Sequence, residues 1–152
     1  MKRNPNLITI SKEHHHILLF VWKIKQGLKA NMALERIQKY VVYFWASDLA
    51  QHIEKEKTIL FKRFDSKEVR RCLDQQCKVQ AYIQMICKTG SDRSDYQTIC
   101  ELIQQSVRYE ERVVFPILEK NLPKATLEDI GRELLIEYTS REDDGFYEQE
   151  LQ

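Results

Sequence analysis

The chain has 152 residues, 43% hydrophobic and 31% charged, the profile of one folded domain rather than a disordered segment. Lys and Arg number 24 against 23 Asp and Glu, a formal net charge of +1, so no cationic excess is available to grip a phosphate backbone and nucleic-acid binding is disfavoured. Four Gly and three Pro are too few for the turns of a sheet protein, and no apolar run reaches the roughly 18 residues of a membrane span.

Helical periodicity then covers nearly the whole chain. A first helix is expected from about Ser11, its cap, to Leu28, with Ile10, Ile17, Val21, Ile24 and Leu28 on one stripe. A second, long one runs from about Ala33 to Phe64, its stripe being Ile37, Val41, Phe44, Trp45, Leu49, Ile59 and Leu60. Asp65 to Glu68 reads as a break in which Asp65 caps the next helix and Glu68 closes a capping box. The third helix extends to about Lys88 with Val69, Leu73, Val79, Ile83 and Ile86 inward, and Thr89 to Ser94 is the clearest loop. The fourth spans about Asp95 to Asn121, with Pro116 inside it as the source of a kink or thinned last turns. Pro123 marks its end, and a short fifth helix follows with Thr126 as cap and an acidic tail from Arg141. Long amphipathic segments on short connections predict an all-α fold, an antiparallel up-down-up-down four-helix bundle over about residues 10–122 with a C-terminal extension, 123–152.

The N-terminus has charge but no apolar stretch of the signal-peptide kind, so no secretory signal is expected. Cys72, Cys77, Cys87 and Cys100 contain no C-x-x-C pair, and three of them share one predicted helix. Buried free thiols in a reducing cytoplasm are therefore expected, rather than a disulfide framework or a zinc ribbon.

The informative residues are polar ones on the apolar stripes. His14 extends the Ile17–Val21–Ile24 stripe backwards, while His15 leads toward Leu18, Leu19 and Trp22. His52 and Glu56, four apart, stack on one helix face between Leu49 and Ile59. Gln76 lies between Leu73 and Val79 with Gln80 one turn on, and Ser106 and Glu110 lie between Ile103 and Val113. Carboxylates and imidazoles aimed at one core are costly unless neutralised, and a metal ion does that well. Taken one at a time these residues have plain explanations: a solvated charged face for Glu110 beside Glu111 and Arg112, a polar helix start for His14 to His16, ordinary surface positions for Gln76 and Gln80. The joint pattern, one or two such residues per helix at matching depth, points to a metal centre.

Three strings carry a family resemblance: Ser11-Lys12-Glu13-His14-His15, His52-Ile53-Glu54-Lys55-Glu56, and Arg108-Tyr109-Glu110-Glu111-Arg112-Val113-Val114-Phe115-Pro116. In this order and spacing, over about Ile10 to Leu122, the chain resembles the hemerythrin-like, HHE cation-binding family. The resemblance implies a four-helix bundle holding non-haem iron that binds or senses oxygen or related small species. It implies His14 (or His15) as the helix-1 ligand, His52 and Glu56 from helix 2, and Glu110 from helix 4. The family's remaining positions fall on Gln76, Gln80 and Ser106, none of them a strong ligand. Cys77, next to Gln76, would need a local twist to bring its thiolate in. One ion's set survives and the second is dismantled, so the resemblance implies one iron rather than two, with Mn(II) or Zn(II) as alternatives, and no reversible oxygen carriage of the usual family type.

Two readings follow. In the first the chain is a metal-binding protein with a reduced, mononuclear non-haem centre, acting in metal or oxygen-related sensing, storage or modest redox chemistry. In the second the bundle binds no metal, its interior polar residues satisfy one another (His52 with Glu110, Gln76 with Glu56), and it works through protein contacts, a homo-oligomer included. The apolar stretch Tyr40 to Trp45 would serve either as deep core or as the partner surface. No phosphate loop, nucleophile elbow or catalytic triad is recognisable, so an enzyme is the less supported class.

Overall fold

The computed structural model describes residues 2–89 and 92–136, and every described element is helical. A short 3-10 turn, Pro5–Leu7, leads into α1, Ile8–Lys29. The helical segment 34–60 is α2, continued by a 3-10 turn at Phe61–Arg63. Next come α3, Lys67–Thr89, and α4, residues 93–121, and α5 is Lys124–Ile136. The expected tail from Arg141 lies outside the described residues. Among these residues no helix is long and apolar enough to cross a membrane.

The four long helices pack in a ring: α1 on α4, α4 on α3, α3 on α2, and α2 on α1. Their apolar stripes form two clusters. One is built on Phe20, Ile24, Ile37, Tyr40, Ile83, Ile86, Tyr96 and Ile99. The other is built on Leu7, Ile10, Leu60, Phe115 and Leu118 and is closed by Leu127, Ile130 and Leu134 of α5. Between them lie the buried polar residues, His14, His52, Glu56, Gln76, Ser106 and Glu110.

Helix ends depart from the expected caps in ways the side chains explain. The first helix begins before Ser11, because the Asn4 side chain accepts from Asn6 N–H and Pro5 starts the preceding turn. Ser11, inside α1, donates instead to Glu111. At the start of α3 the Ser66 hydroxyl accepts the Val69 N–H, while Asp65 pairs with Arg70 at the surface. Asp92 caps α4 in a full capping box with Asp95. Thr126 sits within α5, whose first turn closes on the Pro123 carbonyl.

Three wide π turns interrupt α2 and α4: Trp45–Leu49, Glu56–Leu60 and Glu110–Val114. The last precedes Pro116. Proline lacks an N–H and its ring collides with the carbonyl four residues back. Here the Phe115 N–H reaches five residues back, to the Glu110 carbonyl, and the widened turn takes up the misfit without ending the helix. The stretch Tyr40 to Trp45 is neither all core nor a free face: Tyr40, Val41 and Phe44 are buried, Tyr43 and Trp45 half-buried, and Val42 exposed. Phe20 stacks on Phe44 with ring centroids 4.1 Å apart.

Candidate metal centre

α1, α2 and α4 each aim donors at one point between the two core clusters. His14 is 3% exposed and His15 is fully on the surface side, which separates the two helix-1 candidates. His14 comes from α1, His52 and Glu56 from α2 one turn apart, and Glu110 from α4. One ligand atom from each of the four lies within 4.8 Å of every other. His14 Nε2 is 2.8 Å from Glu110 Oε2 and 3.8 Å from Glu56 Oε2, and His52 Nε2 is 3.0 Å from Glu56 Oε1. Two of the three π turns open on the buried glutamates, Glu56 and Glu110. Such turns are frequent at functional sites because they re-aim a side chain without ending the helix.

α3 supplies no charged donor. The Gln76 amide Nε2 donates to Glu56 Oε1 at 2.8 Å and to Glu110 Oε1 at 3.2 Å. Ser106 of α4 is buried and lines the same small cavity, about 20 Å3, as the four donors. Gln80 is exposed and takes no part. The thiol that does reach the centre is Cys72, one turn before Gln76, whose Sγ donates to Glu110 Oε1 at 3.6 Å. Cys77 faces solvent. All four cysteines are free thiols, with Cys72 and Cys100 buried. Burial and the nearby Glu110 and Glu56 charges push the Cys72 thiol far up, so it stays protonated.

The electrostatics are those of a self-neutralised group. Burial favours the neutral form of His52, yet the Glu56 charge and bonds to Glu13 and Glu56 raise it to about 9. Burial likewise opposes charge on His14, but Glu110, Glu111 and Glu56 hold it well above the usual histidine range. Glu56 stays ionised, held far below the usual carboxylate range by both histidines against its own desolvation. Burial and the charge on Glu56 push Glu110 up to about 7. Glu56 Oε2, His14 Nδ1 and Gln76 Oε1 are buried with no hydrogen-bond partner. An orphaned carboxylate oxygen in such a place is expensive.

The donors could hold a divalent transition ion. Bonds of about 2.1 Å put neighbouring ligand atoms of an octahedral shell about 3.0 Å apart and opposite ones about 4.2 Å apart. Three of the six donor pairs are 2.8 to 3.8 Å apart, around that first value, and all six lie within 4.8 Å. Two imidazoles and two carboxylates suit Fe(II), Mn(II) or Zn(II). A cavity of about 20 Å3 has room for one water-sized occupant.

Two residues in contact with the histidines were missed by periodicity. Glu13 Oε1 is 2.9 Å from His52 Nδ1, and Glu111 Oε1 is 3.4 Å from His14 Nδ1. Phe115 stacks on the His14 ring, centroids 5.6 Å apart. No family model, curated protein or solved structure matches the chain.

Proposed function

We propose that the chain is a hemerythrin-like metal-binding protein with one non-haem ion, iron first, held by His14, His52, Glu56 and Glu110. The observation that carries this reading is the convergence of four buried ligand atoms from three helices. Their order along the chain, the Glu-Arg-Val-Val-Phe-Pro string after Glu110, and the closed ring of helix neighbours support the family resemblance and an up-down-up-down bundle. The α3 side, with Gln76 donating where a second ion's ligand would stand, supports one ion over two. Bound iron would supply one-electron chemistry and affinity for small ligands. The chain's own residues hold the ion, exclude bulk water and leave a cavity of one-water size beside it. Sensing or storage of a metal or an oxygen-related species fits this arrangement better than reversible oxygen carriage. Four free thiols fit a reducing, cytoplasmic setting.

A second reading is favoured by the direct bonds the polar residues make to one another: His14 to Glu110, His52 to Glu56, Gln76 to both glutamates. On that reading the centre is a metal-free polar network and the protein works through contacts. Exposed Leu18, Leu19 and Trp22 of α1 would be its surface.

Metal content per chain, by mass spectrometry on untagged protein, with an absorption spectrum in air, separates these. One equivalent, lost in His52→Ala, supports the single-ion reading. Two irons with the charge-transfer bands of a bridged pair would refute the loss of the second site. No metal after reconstitution with Fe(II), Mn(II) and Zn(II) would leave the interaction reading in front.

A further inference from the structure

Each histidine of the centre turns Nε2 toward the buried glutamates and Nδ1 away from them. Behind each Nδ1 stands a carboxylate that is not one of the four donors: Glu13 behind His52 at 2.9 Å, Glu111 behind His14 at 3.4 Å. The pairing crosses between helices. Glu13 is the chain neighbour of His14 on α1 but touches His52 on α2. Glu111 is the chain neighbour of Glu110 on α4 but touches His14 on α1. Each carboxylate is itself held. Lys55 Nζ donates to Glu13 Oε2 at 2.5 Å. Ser11 donates to Glu111, and Arg3 approaches its Oε2 at 3.3 Å while donating to Glu119 at 2.8 Å.

We propose that Glu13 is a positioning residue that fixes ring orientation and tautomer in His52, and that Glu111, which faces His14 Nδ1 without a hydrogen bond, steadies that ring through charge alone and to a smaller extent. A carboxylate only accepts, so it keeps a proton on Nδ1 and leaves the Nε2 lone pair for a cation. The two braces are unequal. Glu13 is within hydrogen-bond distance of its histidine and is pinned by an ammonium. Glu111 stands further off and shares its oxygens with Ser11 and Arg3. Glu13 also lines, with Lys55 and His52, an open cleft of about 310 Å3. This inference rests on the single-ion reading above.

The test is Zn(II) affinity of the full chain, measured against a chromophoric chelator, together with long-range 1H–15N spectra of the histidine rings in the Zn(II)-loaded protein. Glu13→Ala is expected to weaken Zn(II) about 10- to 100-fold, the usual cost of losing such a partner. Glu13→Gln, whose amide oxygen still accepts from Nδ1, restores most of the affinity and the Nδ1–H tautomer of His52. Glu111→Ala has the smaller effect. Glu13→Met, which fills the space without an acceptor, replaces Glu13→Ala if the latter does not fold. Unchanged affinity in Glu13→Ala, with only a lower melting temperature of the metal-free protein, would reduce Glu13 to a structural ion pair and overturn the proposal. Failure of the unaltered chain to bind Zn(II) or Fe(II) at all would instead overturn the metal reading itself.

Discussion

Protons compete with any cation for this centre, and the structure sets how strongly. Burial works against charge on both rings. The Glu56 charge nevertheless raises His52 to about 9, and Glu110, Glu111 and Glu56 hold His14 well above the usual range. At neutral pH both rings of the metal-free protein therefore carry a proton that a cation must displace. Each displaced proton weakens apparent affinity tenfold for every unit of pH lost, about 1.4 kcal/mol. Where both rings are protonated, two protons give a slope of about two decades per pH unit. Glu110, pushed to about 7 by burial and the Glu56 charge, steepens the slope further below neutrality. Zn(II) competition at a series of pH values from about 6 to 8.5 reads the slope, and calorimetry in buffers of different ionisation enthalpy counts the protons released. A slope of less than one decade per pH unit would refute the argument, because it would mean the rings are already neutral and the carboxylate contacts do not hold them charged.

Stability of the metal-free protein should move the opposite way. A histidine raised from 6.5 to about 9 stabilises the fold below pH 6.5 and loses that stabilisation as pH rises through 9, by about 3 kcal/mol in full. Urea unfolding in the presence of a chelator should show it, and equal midpoints on either side of that window would contradict it. Gly131→Ala places a Cβ 2.5 Å from Asn6 Oδ1 and 3.1 Å from Asn6 Cβ, so the Asn6 side chain must rotate away and the Pro5–Leu7 turn give by a few tenths of an ångström. The overpacking cost of about 1–3 kcal/mol exceeds the helix-propensity gain of up to about 1 kcal/mol, and a lowered urea midpoint is the expected result. Asp92→Ala removes the half of the α4 capping box in which the Asp92 carboxylate accepts from Asp95 N–H and leaves the half made by the backbone N–H of residue 92, and thermal unfolding should register about 1 kcal/mol of lost stability.

The stripes themselves carried most of this architecture. An apolar residue every three or four positions makes a helix profitable only with one face buried. That logic placed Ile17, Val21, Ile83, Ile99 and Leu118 inside and, by interrupting the same stripes, picked out His14, His52, Glu56 and Glu110. The phase of a stripe also favoured His14 over His15 before any contact was known. Periodicity is blind to what lies across from a residue. Whether Cys72 or Gln80 joins Gln76 in the site depends on which turn of α3 approaches α4. Only packing shows that Cys72 and Gln76 point in while Cys77 and Gln80 point out. Periodicity does not mark Glu13 and Glu111, because their partners, His52 and His14, lie on other helices. The π turns at Glu56 and Glu110 leave no mark on composition, since one wide turn shifts side-chain direction without changing which residue types are apolar. Local sequence determined the helices and their buried faces through short-range sterics and hydrophobic spacing. The meeting of four donors at one point, and the carboxylates that steady two of them, are products of long-range packing that only the folded chain decides.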